Sequence, residues 1–312
     1  MSAPANGKLL SGELRRFLFA SILLVFGFSS YAQSSASKVR IKSGKDYPLK
    51  LRGGDILVTI QNETSAQQWD RYAFEKTRDL LDAYESYTGI FFHHAAAPIF
   101  KSLPPKERSR VRLVLKENVF LNGTRIGGYN NVSGELGKDL GIYLESSLVP
   151  IGYPALLLHE LGHYYFIEPL WLSEGIVSFL PYLLAKKGYL RLNQQELMSI
   201  YDEWELGEPP SKNDHPLGVD FQSSDPQVGA WMYSKSVRLQ GILYKELGSE
   251  GYRSFLRILA TTDVPDTEAV LKVLLGLKAK NWEQILRGWL LPGKYLSYPI
   301  KSFSNMRDWD AL

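Results

Sequence analysis

The sequence predicts an α+β protein in which strand-forming segments come first and a mainly helical part follows. Before residue 150 lie short runs rich in Val, Ile, Leu and Tyr, bounded by Gly- and Pro-containing turns. Beyond it, segments with apolar residues at helical spacing follow one another almost to the C-terminus. The 312-residue chain is 45% hydrophobic and 22% charged, which is the composition of a globular protein with a real core.

The first 32 residues read as a targeting segment. Lys8, Arg15 and Arg16 form a basic start, and Phe17 to Phe28 is apolar. Ser30-Tyr31-Ala32 offers small residues for cleavage ahead of Gln33. The apolar run is shorter than the ~20 residues of a spanning helix. The expectation is therefore export without stable membrane insertion after cleavage. The chain has no cysteine, which excludes a disulfide framework, a cysteine-ligated metal and a cysteine-linked lipid anchor. An exported chain without cysteine fits a periplasmic or secreted bacterial protein. Cleavage removes three basic residues and one acidic one from totals of 36 and 33, leaving a net charge of +1. No basic block is interleaved with aromatics, so nucleic acid is not an expected partner.

After residue 33, Val39 to Ile60 reads as short strands, with a turn at Gly53-Gly54-Asp55. A helix is expected over about 66–87, stopped by Gly89. His93 and His94 are adjacent, so on a strand they would point to opposite faces and could not share a metal. Ser102 to Lys106 is a turn. Val111 to Leu115, Arg125 to Tyr129 and Leu140 to Leu144 are the next strand candidates. Residues 33–150 thus form the strand-bearing part and 151–312 the helical part of one domain.

The chemistry concentrates in His159-Glu160-Leu161-Gly162-His163. On a helix, residues four apart share a face, so His159 and His163 can clip one Zn²⁺ and leave positions for a third ligand and a water. Glu160 follows the first ligand directly, where a general base for that water must stand. The third ligand is Glu168 or Glu174. Pro169 disfavours helix at Glu168, and a continued helix would turn Glu168 away from the histidines. Glu174 is favoured: it starts a second helix, with Ser173 as a possible cap, that returns after a turn of about eight residues.

These motifs carry a resemblance. His159-Glu160-Leu161-Gly162-His163 followed by Trp171-Leu172-Ser173-Glu174-Gly175 resembles the gluzincin metallopeptidases. The second motif is similar to that of aminopeptidases of the M1 family, and the short spacer looks more like small bacterial peptidase MA-like proteins. The resemblance spans roughly Arg110 to Ala260. It implies a small mixed sheet before a zincin-type helical subdomain, with the active-site cleft between them. It also implies zinc held by His159, His163 and Glu174. Tyr233-Ser234-Lys235-Ser236 resembles the family's Y-x-K-G segment, which gives Tyr233 the role of oxyanion donor, although Ser236 replaces the glycine. Gly127 to Asn131 lies where that family carries G-x-M-E-N, but without its Met-Glu pair. Ser178 stands where the thermolysin-like branch has a supporting Asp.

Further along, Pro181 is expected to kink or divide the Glu174 helix. Another helix is expected over Leu192 to Leu206, and then a Pro- and Gly-rich loop from Glu208 to Pro226 carrying a solvent-facing His215. Helices are expected at Val228–Leu247, Tyr252–Ala260, Thr267–Leu275 and Asn281–Leu290. The expected function is an exported zinc metallopeptidase acting on a peptide or protein substrate. The alternative is a catalytically inactive, peptidase-like binding protein of the cell envelope.

Overall fold

The structure is a computed structural model that describes residues 44–92, 105–121, 123–131, 140–146, 153–167, 169–194, 196, 216–217, 226–262 and 266–290. The expected targeting segment, the strand at residues 39–42, His93, His94, Glu168, His215, most of the 192–206 helix and of the loop after it, and the C-terminal tail lie outside them.

The chain opens with a hairpin, β1 (Lys45–Leu51) and β2 (Gly54–Asn62), paired antiparallel so that Leu51 faces Gly54. Pro48 is tolerated because β1 is an edge strand. The two-residue connection needs its glycines. Gly54 has φ 133°, and a Cβ on Gly53 would stand 2.3 Å from Phe91 Cβ. Helix α1 (Trp69–Thr88) ends, as its sequence predicts, on a left-handed Gly89 whose N–H bonds the Glu85 carbonyl.

Strand β3 (Arg110–Lys116) runs parallel to β2, and β7 (Gly141–Glu145) runs parallel to β3. The predicted strand over 125–129 is two pieces instead. β5 (Thr124–Ile126) pairs with β4 (Val119–Leu121) as a separate hairpin, while β6 (Gly128–Asn131) joins the main sheet antiparallel to β7. The break falls at Gly127, whose carbonyl accepts from Glu145 N–H at 2.7 Å. The result is a mixed five-stranded sheet in the order β1-β2-β3-β7-β6, so β6 is its second edge.

The sheet has two faces. Val111, Leu113 and Leu115 of β3 join the large core shared with the helices, whereas Val114, on the other face, packs with Val119, Ile126, Tyr129 and Tyr143. Against the first face lie α1 and α2 (Tyr153–Gly162); α3 (Leu170–Lys186) packs on these two helices and in turn carries α4 (Pro226–Thr261). α5 (Thr267–Leu277) and α6 (Trp282–Leu286) finish the described chain, each capped at its N-terminus by a side chain, Asp266 and Asn281. This is the predicted α+β arrangement, a mixed sheet followed by a mainly helical part.

Several boundaries differ from expectation. α2 stops at Gly162, and His163 to Tyr165 form a turn. α3 starts at Leu170 after an extended Pro169, so Ser173 lies inside the helix and caps nothing. The reason is burial: Trp171 and Leu172 draw the first turn into the core. Pro181 does not divide α3, because buried neighbours on every side hold the helix together. The predicted helices at 228–247 and 252–260 form one run broken at Gly248, where φ is 72°. The last predicted helix shortens to α6. Among the described residues no helix is long and apolar enough to cross a membrane.

Candidate metal centre

α2, α3 and α4 stack in sequence, and two glycines from the motifs set how closely they approach. A Cβ at Gly162 would come within 2.6 Å of Val177 Cγ1 and 3.0 Å of the Tyr84 hydroxyl, so only glycine lets α2 settle onto α3. A Cβ at Gly175 would stand 2.4 Å from Ser236 Oγ and 2.7 Å from the Ser236 carbonyl oxygen, so α3 and α4 touch there too. Tyr233, Ser236 and Gln240 share one face of α4 by their three- and four-residue spacing. The Ser236 hydroxyl donates to the Trp171 carbonyl, locking that face to the start of α3.

This stacking brings the predicted ligands together. His159 Nε2 and His163 Nε2 are 3.3 Å apart. Glu174 Oε2 lies 3.2 Å from the first, and Oε1 lies 3.7 Å from the second. Four ligands at tetrahedral angles and bond lengths of ~2.0–2.1 Å stand roughly 3.3 Å from one another. The three donors therefore have the spacing that such a cation requires.

The donor chemistry agrees. Glu174 is fully buried, and among the described residues neither of its oxygens has a hydrogen bond of normal geometry despite the nearby imidazoles. A buried carboxylate without such bonds is costly unless a cation meets it. His163 Nδ1 stands 3.3 Å from the Phe166 carbonyl, which can only accept, so Nδ1 carries the proton and the Nε2 lone pair faces Glu174. Ser173 Oγ lies 3.2 Å from the same Nδ1 and donates to the Phe166 carbonyl at 2.8 Å. His159 Nδ1 is 3.3 Å from Ser178 Oγ.

Electrostatics separate the two acids. Burial pushes the Glu160 carboxyl up to about 7. The Glu174 charge adds to the rise, while His159 and a hydrogen bond from the Asn130 main chain oppose it. Burial also pushes Glu174 up, but the two histidines outweigh it and leave it below its ordinary value. Burial lowers His163, favouring the neutral, ligating form. Tyr233 is buried within electrostatic reach of both carboxylates. Burial first, then Glu174 and Glu160, hold its phenol far above the ordinary value, so it stays a hydrogen-bond donor at neutral pH.

Ser178, noted in the sequence only as standing in place of a supporting Asp, lies against His159, and Ser173, expected as a cap, lies against His163 instead. Asn130 escaped the sequence reading. Asn130 of β6 donates from Nδ2 to the Glu160 carbonyl at 2.6 Å, tying the sheet edge to the His-Glu helix. Only the fold brings those two segments together. Because the Gly127 carbonyl points to β7, antiparallel alternation turns the peptide groups of Gly128 and Asn130 away from β7, towards the side of β6 on which no strand pairs among the described residues.

The sequence matches no family model, and no curated protein matches it. The fold is similar to that of a solved structure, Legionella pneumophila aminopeptidase A in complex with aspartic acid, with a TM-score of 0.54 at 12% identity. The match covers 80% of this chain but 28% of that one, so the chain spans well under a third of its neighbour. At this identity the likeness is one of fold.

Proposed function

We propose that the chain is an exported zinc-dependent metallopeptidase of the gluzincin kind, with residues 1–32 removed as a signal peptide and residues 33–150 and 151–312 forming the two parts of one catalytic domain. The observation that carries this reading is the Glu174 carboxylate, fully buried with no hydrogen bond of normal geometry among the described residues and flanked by two imidazoles at ligand spacing. The likeness in fold to an aminopeptidase points the same way.

In this reading His159, His163 and Glu174 hold the ion. The chemistry that zinc supplies in such a site is Lewis-acid activation of a water and of a peptide carbonyl. Glu160 takes the proton from the attacking water and delivers it to the leaving amine, a role suited to a carboxyl with a pKa near neutrality. Tyr233 donates to the oxyanion of the tetrahedral intermediate. The outer edge of β6 offers the Gly128 peptide group and the Asn130 carbonyl to an extended substrate, which would add as a further strand.

Elemental analysis of the purified protein tests the centre. The expected result is about one zinc per chain, lost on Glu174→Ala. Absence of metal after zinc loading, or full retention in Glu174→Ala, would remove the reading.

A further inference from the structure

The two imidazoles of the centre are backed by neutral oxygens. His163 Nδ1 faces the Phe166 carbonyl and Ser173 Oγ, and His159 Nδ1 faces Ser178 Oγ at 3.3 Å. Ser178 is fully buried on α3, one turn beyond Glu174, so its hydroxyl is fixed relative to the ligand carboxylate. A ligating histidine needs its outer nitrogen held by a partner, since that bond sets the tautomer and the ring orientation. A carboxylate in that place also makes the imidazole more basic and adds a negative charge facing the cation. A hydroxyl orients the ring and adds no charge.

We propose that Ser178 is a positioning residue that keeps His159 protonated on Nδ1 with Nε2 aimed at His163 and Glu174, and that its hydroxyl backing leaves the centre with a weaker hold on its metal than a carboxylate would give. This rests on the metal reading above. The metal would be more readily exchanged, and its occupancy would follow the zinc supply around the protein.

The test is chelator competition for Zn²⁺ with the whole protein, run beside melting curves of the metal-free form. Ser178→Ala is expected to weaken zinc binding about tenfold or more, with the metal-free melting temperature near that of the parent. Ser178→Thr keeps the hydroxyl and should bind within a few-fold of the parent. Ser178→Asp should bind more tightly. Unchanged affinity in Ser178→Ala would overturn the proposal, as would an equal loss in the Ala and Thr variants. An Asp variant no tighter than the parent would overturn the claim of a weakened hold. A parent protein that takes up no zinc would instead bring down the metal reading itself, which separates the two failures.

Discussion

Glu145 and Glu107, at the hairpin side of the sheet, are buried about as deeply as Glu160 and Glu174 among the helices, yet the two pairs are treated differently. Glu145 takes Arg125 Nη2 at 2.6 Å and Nε at 3.0 Å, and Glu107 takes Arg112 Nε at 2.7 Å and Nη2 at 3.0 Å. Each guanidinium fork satisfies its carboxylate completely enough that the pair is a strut. Glu174 faces two imidazoles with no hydrogen bond of normal geometry among the described residues, and Glu160 is pushed up to about 7. A buried acid that the protein neutralises serves the fold. One left poised is held for something the fold itself does not supply.

The sharpest way to break this contrast is to change Glu160. In Glu160→Gln the shape is kept and the proton acceptor is lost, so turnover of a peptide library should fall by about 10²–10⁴. Zinc content should be unchanged, because Glu160 is not among the ligands. Full activity with the metal retained would show that the raised pKa has no catalytic use.

A second variant asks whether the helical region needs its close approach. Gly175→Ala places a methyl against the Ser236 main chain, and overpacking of this kind costs about 1–3 kcal/mol. The shift separates Tyr233 from the site while leaving the α2 and α3 ligands in place. Turnover should fall with metal content preserved, and the melting temperature should drop. Gly276→Ala is the contrast: it has open space on α5 and should gain roughly 0.5–1 kcal/mol from helix propensity. Similar responses at both positions would mean that the packing at Gly175 has no special part.

Much of this site was legible in the sequence because it depends on local spacing. The four-residue interval of His159 and His163 was legible as helix spacing, although α2 ends at Gly162 and His163 stands in the turn beyond it, and Pro169 marked the boundary before the second helix. The sheet's strands were also legible, except where Gly127 diverts one run into two sheets. Long-range contacts were not. Asn130 meets Glu160 only through the order of β6 and β7, and Ser173 reads as a cap until hydrophobic burial starts α3 three residues earlier. The glycines at 162 and 175 gave no hint of their role, since a helix interior normally disfavours glycine. Their reason lies in the neighbouring helices.

The subtlest comparison sets Glu145→Gln against Glu160→Gln in the stability of the metal-free protein. Glu145 is held by Arg125, whose side chain is about one-third exposed (38%), so losing the charge should cost about 1–3 kcal/mol at pH 8. For Glu160 the sign is opposite. Its carboxyl rises from 4.5 to about 7 on folding, so the folded state holds the proton more tightly than the unfolded chain. Below about pH 4.5 both states are protonated and burial carries no charge penalty. Between 4.5 and 7 the unfolded chain deprotonates first and stability falls. Above 7 a penalty of roughly 3 kcal/mol at most persists. Gln carries no such penalty. Melting curves from pH 4.5 to 8 should show Glu160→Gln close to the parent at the acid end and increasingly more stable towards pH 8, while Glu145→Gln melts lower than the parent there. If both variants moved the same way at pH 8, the division between structural and poised carboxylates would fail, and Glu160 would have to be counted with the struts.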